Sequence, residues 1–443
     1  MLKLPYGLSN FKEIRTEGYY YVDKTRYIEL LEALPEKYPI ILRSRRFGKT
    51  LFANMLGYYY DQRHADEFDE IFAGTYIHVH PTPKRGAYLM LTFNFSGINT
   101  ETLDNANQGF AFSVKLSVQS FLMRYAAHFS QEDAAGILSG IRPNDLLKAL
   151  FQKIMDRGFG KCVYVVIDEY DHFANNILSQ GKEMFKDLVR TDGYVRPFYE
   201  ALKAGTEQVV DRMFVTGVLP ILLDSLTSGF NIGSNLSTDV RVNEMFGFTD
   251  AEIAPVLDAL GAGVNRDDVR VYYNGYRFSP HAAQTVYNSD MIWYYGLKFD
   301  AAGRVDNMVD PNVISDYRKI RAILSIGDKA LEEHILAQIV EQERIVVPGI
   351  TALFPLTQET EFLFDEQALL SLLFYMGYLS IAGKRGVLIE LAMPNLVLRS
   401  LYFDYMQYML MKRGQTRIDG IRKGEALQAL VEGKIDGLIA LTE

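Results

Sequence analysis

Residues Arg43 to Thr50, "RSRRFGKT", end in three residues whose types and order suit the binding of nucleotide phosphates. A loop of the pattern G-x-x-x-x-G-K-[ST] cradles phosphates with backbone N–H groups and the N-terminus of the helix that follows. Its lysine reaches the outer phosphates and its hydroxyl binds Mg²⁺. Gly48, Lys49 and Thr50 match this second half. The sequence therefore predicts a Mg-nucleotide site here, with Thr50 as a metal ligand.

Arg43 stands where the pattern begins with glycine. A side chain at this place resists positive φ and crowds the turn, so we expect a wider or differently shaped loop. Arg45 and Arg46 are expected to compensate, because a guanidinium binds phosphate through two parallel hydrogen bonds. The alternative is a basic, solvated turn between a strand and a helix.

A second motif, "VYVVIDEYD", places Asp168 and Glu169 at the end of an apolar run. An aspartate at the carboxyl edge of a strand holds Mg²⁺, and the adjacent glutamate polarises an attacking water. Both motifs are expected to face one crevice, because ligands of open α/β sheets bind outside the carboxyl ends of the strands. A solvated strand end is the alternative. Asp171 is either a second acid or, as we favour, a helix cap.

Thr216, in the apolar segment "RMFVTG", is a third candidate. In nucleotide hydrolases with an extra strand between the phosphate loop and the acidic strand, a polar residue here hydrogen-bonds the attacking water or the γ-phosphate. Threonine is also a common strand residue, so a purely structural role is the alternative.

Several other clusters favour structural roles. No cysteine or paired acid accompanies His78 and His80 at ligand spacing, so we expect surface residues rather than zinc ligands. Aromatic residues at the spacing of the following group are usually core residues rather than base-stacking platforms. This group is Tyr272, Tyr273, Tyr276 and Phe278.

Composition places the chain among ordinary globular proteins. It has 443 residues, 48% hydrophobic residues and a formal net charge of −9, so nucleic-acid binding would have to be local. The single cysteine, Cys162, lies beside an apolar run and is expected in the core of a protein from a reducing compartment. No signal sequence or membrane-spanning stretch is evident, so we expect a cytoplasmic protein without membrane contact.

Strands and helices alternate in the first half of the chain. The helical stretches between the apolar runs are long enough for crossover connections. This pattern predicts an α/β fold of the P-loop NTPase type, a parallel sheet with helices on both faces. Its four strands are expected in "YPIIL" from Tyr38, "AYLMLTFNFSG" from Ala87, "KCVYVVIDEYD" and "DRMFVTGVLP" from Asp211.

The pattern changes after about Met245. Thr249 and Glu252 have the spacing of a capping box at a helix start. "ISDYRKIRAILSIG" and "KALEEHILAQIVEQERIVV" look helical, and a later helix runs into a β-hairpin with the turn "AGKRG", as in a winged helix. We expect a P-loop domain, a helical lid with an aromatic-rich subdomain, a winged-helix-like domain, and a linker or the start of a further domain. Their ranges are 1–245, 246–325, 326–412 and 413–443.

The chain resembles the bacterial AAA-ATPase-like family that is commonly fused to a nuclease-like domain of the PD-(D/E)XK superfamily. The resemblance covers about residues 4 to 400 and follows the family's order of motifs. It lies in "YYYVDKTRYIELL", "RSRRFGKTLFANML", "VYVVIDEYD", "FVTGVLPILLDSLTSGFNIGSNLS", "YYNGYRF", "VYN", "SLLFYMGYLSIA" and "MPN". The arginines before Gly48 are a feature of the family, with Ser44 where a proline is common.

This resemblance implies that Lys49 and Thr50 bind phosphate and Mg²⁺, and that Asp168 and Glu169 form the acidic strand end. Asp23, Lys24 and Thr25 match the family's amino-terminal motif and are expected near the nucleotide.

The resemblance also implies a carboxy-terminal nuclease-like domain. The sequence ends at Glu443 before the acidic and Glu-x-Lys residues of such a site, and Glu432, Lys434 and Asp436 occur in the wrong order. We therefore expect no nuclease site within these residues. Either the sequence is truncated before this domain, or this member of the family has lost it.

Together these features predict a P-loop protein that binds Mg-ATP and hydrolyses it slowly or under regulation. We expect it to act as a switch for an effector that is fused to it or is a separate partner. The family resemblance implies that this effector is nuclease-like. The alternative is a non-hydrolysing interaction or scaffold module with a degenerate loop. DNA binding through Lys384 and Arg385 at the wing tip is a weaker alternative, since such a turn is usually solvated. Other copies of the same chain are also possible partners, in an oligomer.

Overall fold

A computed structural model describes most of the chain. It covers residues 2–173, 194–220, 230–299, 307–313, 329–342, 344–352 and 365–402, together with residues 305, 354 and 405. The predicted helix "ISDYRKIRAILSIG" and the segment 413–443 lie outside these residues.

Five parallel strands form the main sheet, in the order β2-β3-β4-β1-β5. All four predicted strands are present, and a two-residue fifth strand extends the sheet beside β1. The fold prediction of a P-loop type parallel sheet with helices is thus confirmed. The strands are β1 (Pro39–Leu42), β2 (Leu89–Asn94), β3 (Val163–Asp168), β4 (Val210–Gly217) and β5 (Ser234–Asn235).

Helices of the first half connect and cover these strands. Helix α3 packs against β2, β3 and β4, and α6 packs against β2. They are α1 (Phe11–Thr16), α2 (Arg26–Ala33), α3 (Lys49–Tyr60), α4 (Phe68–Ile71), α5 (Tyr76–Val79), α6 (Leu103–Arg124), α7 (Gln131–Leu138), α8 (Pro143–Asp156) and α9 (Val195–Gly205).

The register of the sheet brings the predicted site together. Every residue of β1 and of β3 is buried, as expected of central strands in a parallel sheet. β4 lies between them and pairs with both. Asn94 at the end of β2 is the register partner of Asp168. The carboxyl ends of β1, β3 and β2 therefore open on the same edge of the sheet.

The second half begins with three helices: α10 (Asp250–Leu260), α11 (Arg266–Tyr273) and α12 (Ser289–Lys298). The predicted capping box is confirmed, because Thr249 and Glu252 exchange side-chain hydrogen bonds with each other's backbone N–H. The predicted aromatic core is also present: Tyr273, Tyr276 and Phe278 are buried, and Tyr272 is half-buried.

A small antiparallel sheet follows, in the order β6-β8-β7. Its elements, with the two helices beside it, are α13 (Lys329–Glu341), β6 (Ile345–Val347), α14 (Glu366–Tyr375), β7 (Ser380–Arg385) and β8 (Leu388–Ala392).

Two details of this region differ from the sequence prediction. The helix predicted through "KALEEHILAQIVEQERIVV" ends at Glu341, and Ile345–Val347 pair with β8 as a third strand. The hairpin is present, but its turn is Gly386-Val387 rather than "AGKRG", because Arg385 still pairs with Leu388. Arg385 is held by Glu390, while Lys384 is exposed. The winged-helix and DNA-binding assignments stay predictions.

The described helices include none that is both long and apolar enough to cross a lipid bilayer.

Arg43 fixes the end of β1 to the chain that follows β5. Its backbone N–H donates to Gly217 and so continues the β1–β4 ladder. Its guanidinium donates to the carbonyls of Leu42, Ser237 and Val242 at 2.7, 2.7 and 2.8 Å. The side chain is 1% exposed and lies 4.0 Å from the ring centre of Phe278. Burial lowers the pKa of Arg43 to about 9, which leaves the guanidinium charged at neutral pH.

Arg43→Ala is expected to destabilise the protein by about 3 kcal/mol, because it leaves buried carbonyls without their donor. Arg43→Lys should recover only part of this loss, since one ammonium cannot reproduce a planar fork of donors. Urea unfolding followed by circular dichroism measures both. Arg63→Ala, at an exposed arginine, is the matched control. Equal stability of Arg43→Ala and this control would contradict the assigned role.

Candidate functional site

The phosphate loop joins β1 to α3 with two residues in the left-handed region. Gly48, the N-cap of α3, has φ +88°, where a side chain would be strained. Arg46 has φ +66°, which is uncommon for a residue other than glycine. From the sequence, we expected the unusual backbone conformation at Arg43. Arg43 is not among the residues with positive φ. The left-handed backbone lies three residues further on.

A cavity of about 530 Å³ opens beside this loop. It extends over the carboxyl ends of β2 and β3 and reaches the amino-terminal segment and α12. Its lining contains Arg45, Arg46, Gly48, Lys49, Thr50 and Glu169 from the predicted set. The other two predicted residues, Asp168 and Thr216, are not in the lining, and neither is Arg43.

Lys49 is buried at the first position of α3. Its ammonium donates to the carbonyl of Ser44 at 3.1 Å, so the side chain folds back over the loop. Its positive charge also acts on Asp168 and Glu169. An ammonium has three donors, and the bond to Ser44 uses one of them. This placement suits contact with phosphate oxygens at the N-terminus of α3.

The Thr50 side chain lies close enough to Asp168, across the gap between the loop and β3, to lower the pKa of that carboxyl. Burial and the charge of Glu169 raise the pKa of Asp168, while Thr50 and Lys49 oppose that rise. A nearby cation would relieve the cost of this buried carboxylate. The two oxygen donors fit Mg²⁺, which commonly takes one or two protein ligands and completes its shell with phosphates and water. Among the described residues, no cluster of three or more acidic, histidine or cysteine side chains offers a metal cage.

Glu169 has a left-handed backbone, with φ +53°, directly after β3. Its N–H donates to Oδ1 of Asp168 at 3.0 Å. Burial would raise the pKa of Glu169, but a hydrogen bond from His172 and the charges of Lys49, His172 and Arg45 lower it to about 2. The carboxylate is therefore ionised at neutral pH and faces the cavity.

His172 was not among the predicted residues, although it lines the cavity. Its Nδ1 lies 3.2 Å from Oε2 of Glu169. The signal in the sequence was the spacing Glu-x-x-His, which places both side chains on one side of a tight turn after the strand. His172 thus limits the positions that the Glu169 carboxylate can take.

Thr216 and Asp171 are turned into the sheet. The Thr216 hydroxyl donates to the carbonyl of Ile41 at 2.9 Å, and the residue is fully buried. The structure thus does not bring Thr216 to the cavity. Asp171 accepts hydrogen bonds from the N–H groups of Val218 and Leu219 at 3.0 and 2.6 Å. It fastens the chain after β4 and does not line the cavity, and most of the segment that it was expected to cap lies outside the described residues.

The two arginines of the loop have different surroundings. Arg45 lines the cavity, and its charge contributes to the lowered pKa of Glu169. The guanidinium of Arg46 lies 3.0 Å from a carboxylate oxygen of Asp290, on α12. The hydroxyl of Ser289 donates to the carbonyl of Arg46 at 3.3 Å. Helix α12 therefore holds the loop through both backbone and side chain.

Of the motif Asp23-Lys24-Thr25, Lys24 reaches the cavity. Its ammonium donates to both carboxylate oxygens of Glu252 at 2.7 Å. Asp23 and Thr25 instead accept hydrogen bonds from the backbone of Tyr76 and Ile77. The motif joins the amino-terminal segment to α5 and to the start of α10.

Sequence reasoning missed the aromatic part of the cavity. Its lining includes Tyr20, Tyr21, Phe248 and Trp293. Asn94 and Ser96, at the end of β2, also line it. Of the two histidines predicted at the surface, His78 is partly buried and pairs with Asp69, and His80 is exposed.

Comparison with known proteins identifies the first half of the chain. The profile of the AAA-ATPase_like family, described as a predicted AAA-ATPase, matches residues 5–227, half of the chain. The chain belongs to this family. The match includes the phosphate loop and the acidic end of β3, which supports a P-loop nucleotide-binding protein. Phe248, Ser289, Asp290 and Trp293 line the cavity from beyond the matched range.

Two individual proteins are similar to the chain. One, from Azotobacter chroococcum mcd 1, is described as an uncharacterized protein in the vnfD 5' region. It is 28% identical over 292 residues, which are 65% of this chain and 50% of that protein. The chain therefore matches about half the length of this curated relative. The other is a solved structure, the Walker-type ATPase PABY2304 of Pyrococcus abyssi, with a TM-score of 0.44 and 12% identity over 88% of this chain and 97% of that chain.

Glu169→Gln is expected to lower stability at neutral pH and to have little effect near pH 2. The folded pKa of Glu169, about 2, lies below its ordinary value of 4.5. The ionised carboxylate therefore stabilises the fold above pH 4.5, and this contribution is lost as the pH falls toward 2. We expect a difference of roughly 2 kcal/mol at pH 7.

Urea unfolding of both proteins between pH 3 and pH 7 measures this difference. Glu200→Gln, at an exposed glutamate of α9, should show no such pH dependence. A difference between wild type and Glu169→Gln that stays constant across this range would contradict the assigned environment.

Proposed function

We propose that this protein binds Mg-ATP in the cavity, hydrolyses it slowly or under regulation, and acts as a switch for an effector. One observation carries this proposal. Lys49, Thr50 and Glu169 line one cavity, and Asp168 lies near Thr50 at the end of β3. These are the residue types that phosphate, Mg²⁺ and an attacking water require, at the carboxyl ends of β1 and β3.

Each residue has a role that follows from its position. Lys49 and the backbone of the loop at Gly48 hold the phosphates, assisted by Arg45 and Arg46. Thr50 and Asp168 would hold Mg²⁺, and the ion would offset the negative charge that gathers on the phosphates. Glu169, ionised and facing the cavity, accepts a proton from the attacking water or orients it. Thr216 has no part in this proposal, because its hydroxyl is bonded within the sheet.

The switching role is supported by contacts between the loop and the second half of the chain. Phe47 packs edge-on against Tyr276 and Phe278 at 4.9 and 5.5 Å. Ser44 lies against Gly377, between α14 and β7, so closely that a Cβ on Gly377 would be 2.7 Å from the Ser44 hydroxyl. If the loop rearranged on binding nucleotide, these contacts would therefore displace residues beside the small sheet. The nuclease-like nature of the effector and the cytoplasmic location are parts of the proposal that rest on the sequence.

A non-hydrolysing nucleotide-binding module is the second candidate. The contact between Glu169 and His172 favours it, because a carboxylate with a pKa of about 2 is a weak general base. In this case Mg-ATP would bind and remain intact while the second half of the chain contacts a partner.

Lys49→Ala is expected to abolish binding of Mg-ATP, a loss of at least about 100-fold in affinity, because it removes the cation that the loop directs at the phosphates. Isothermal titration calorimetry measures the affinity. Lys115→Ala, at an exposed lysine of α6, is the matched control and should bind like wild type. Unchanged binding by Lys49→Ala would rule out the phosphate site.

Glu169→Gln is expected to retain Mg-ATP and to stop phosphate release, because an amide cannot accept the proton of the attacking water. Binding is measured by calorimetry and turnover by released inorganic phosphate. Glu200→Gln should release phosphate at the wild-type rate. Binding without turnover in the wild type itself would favour the non-hydrolysing module instead.

A further inference from the structure

The cavity has two chemically different ends. One end carries the charged groups Lys49, Thr50 and Glu169, and the proposed function places phosphates and Mg²⁺ there. The other end is lined mostly by aromatic and aliphatic side chains of the amino-terminal segment, the chain before α10, and α12. These include Pro5, Leu8, Tyr20, Phe248 and Trp293. The ammonium of Lys24, which is paired with Glu252, lies 5.9 Å from the ring centre of Phe248 at this end. Phosphate groups gain no hydrogen bonds or ion pairs from such aromatic and aliphatic side chains.

Three aromatic rings form the centre of the apolar end. The rings of Phe248 and Trp293 meet at 4.9 Å with an interplanar angle of 64°. The ring of Tyr20 meets Trp293 from the amino-terminal segment at 6.2 Å and 72°. Each contact is edge-on, so the three rings face in different directions. Each of the three residues also lines the cavity.

Helix α12 connects this aromatic group to the phosphate loop. Its first residues, Ser289 and Asp290, contact Arg46 of the loop. Trp293 follows Asp290 by three positions and so lies on the same side of the helix, roughly 5 Å further along its axis. The phosphate loop and Trp293 are therefore neighbours along one side of α12.

We propose that Tyr20, Phe248 and Trp293 form a subsite for the planar base of a nucleoside triphosphate whose phosphates lie at Lys49 and Thr50. This inference rests on the proposed function and adds the part of the ligand that the loop does not recognise. An aromatic base gains stacking and loses contact with water in such a place. The subsite draws on residues 20, 248 and 293, so bound nucleotide would hold together the amino-terminal segment, the sheet and α12.

Trp293 is the only tryptophan in the sequence, so its fluorescence reports on this subsite alone. The experiment titrates wild-type protein with Mg-ATP and with the magnesium complex of ribose 5'-triphosphate, which has the sugar and phosphates without the base. We expect Mg-ATP to change the tryptophan emission and to bind on the order of ten- to hundred-fold more tightly. Equal affinities of the two ligands, or an emission that Mg-ATP leaves unchanged, would overturn the subsite.

Variants test the residues individually by calorimetry, which needs no tryptophan. Trp293→Ala and Tyr20→Ala should weaken Mg-ATP on the order of tenfold or more and leave the affinity for ribose 5'-triphosphate unchanged. Trp293→Phe, which keeps an aromatic ring in a buried position, should lie close to wild type. Phe112→Ala, at an aromatic residue of α6 that is 62% exposed, is the control. If Trp293→Phe and Tyr20→Ala weakened both ligands equally, these residues would only maintain the shape of the site. That result would overturn the base subsite.

The two proposals fail in different ways. If ribose 5'-triphosphate binds wild type as tightly as Mg-ATP, and Lys49→Ala abolishes both, the phosphate site stands and the base subsite is wrong. If neither ligand binds wild type, both proposals are wrong.

Discussion

The buried guanidinium of Arg43 is the constraint on which the phosphate loop depends. Its charge is shielded from water. Its hydrogen bonds are accepted by the carbonyl of Leu42 beside it and by two carbonyls far along the chain. The acceptors Ser237 and Val242 lie 194 and 199 positions away in sequence. A charge in such a place is stable only while these carbonyls stay in position. The start of the loop, the end of β1 and the chain after β5 are therefore one unit, and the loop has little freedom at its first residue.

The backbone strain of the site lies at two residues that face the cavity. Arg46 and Glu169 are the two described residues other than glycine with positive φ, and both line the cavity. Each is held by another side chain: Arg46 by Asp290 on α12, and Glu169 by His172 three residues further along the same turn. Backbone strain of this kind persists when the surroundings fix it, and it is common where a protein binds or switches. The conformation of the loop is thus set by packing at Arg46 as well as by glycine at Gly48.

Much of the sheet and the charged half of the site could be predicted, because their signals are local. β1 and β3 are continuous apolar runs, and Gly48-Lys49-Thr50 and Asp168-Glu169 are contiguous residues whose spacing alone suggests their chemistry. What could not be predicted depends on contacts between distant residues. The two-residue strand β5 and the three-residue strand β6 are too short to show a period, and they exist through pairing with β1 and β8.

The same reason explains the errors about individual side chains. Arg43 was expected to crowd the turn of the loop, because the local sequence does not show the carbonyls after β5 that accept its hydrogen bonds. Thr216 lies at the expected place on β4, but its hydroxyl turns toward Ile41 of the neighbouring strand, and only the register decides that. Trp293 and Phe248 carry no motif at all. They join Tyr20 through packing of segments more than 200 residues apart.

The close approach of Gly377 to Ser44 has a steric consequence. Gly377 has φ +81°, and a methyl group there would overlap the Ser44 side chain at 2.7 to 2.8 Å. Because Ser44 is itself buried, it has no open space into which to retreat. The smallest possible enlargement at position 377 would act as a wedge that pushes the first turn of the loop away from the small sheet. The absence of one carbon atom thus allows the two halves of the chain to touch at the start of the loop.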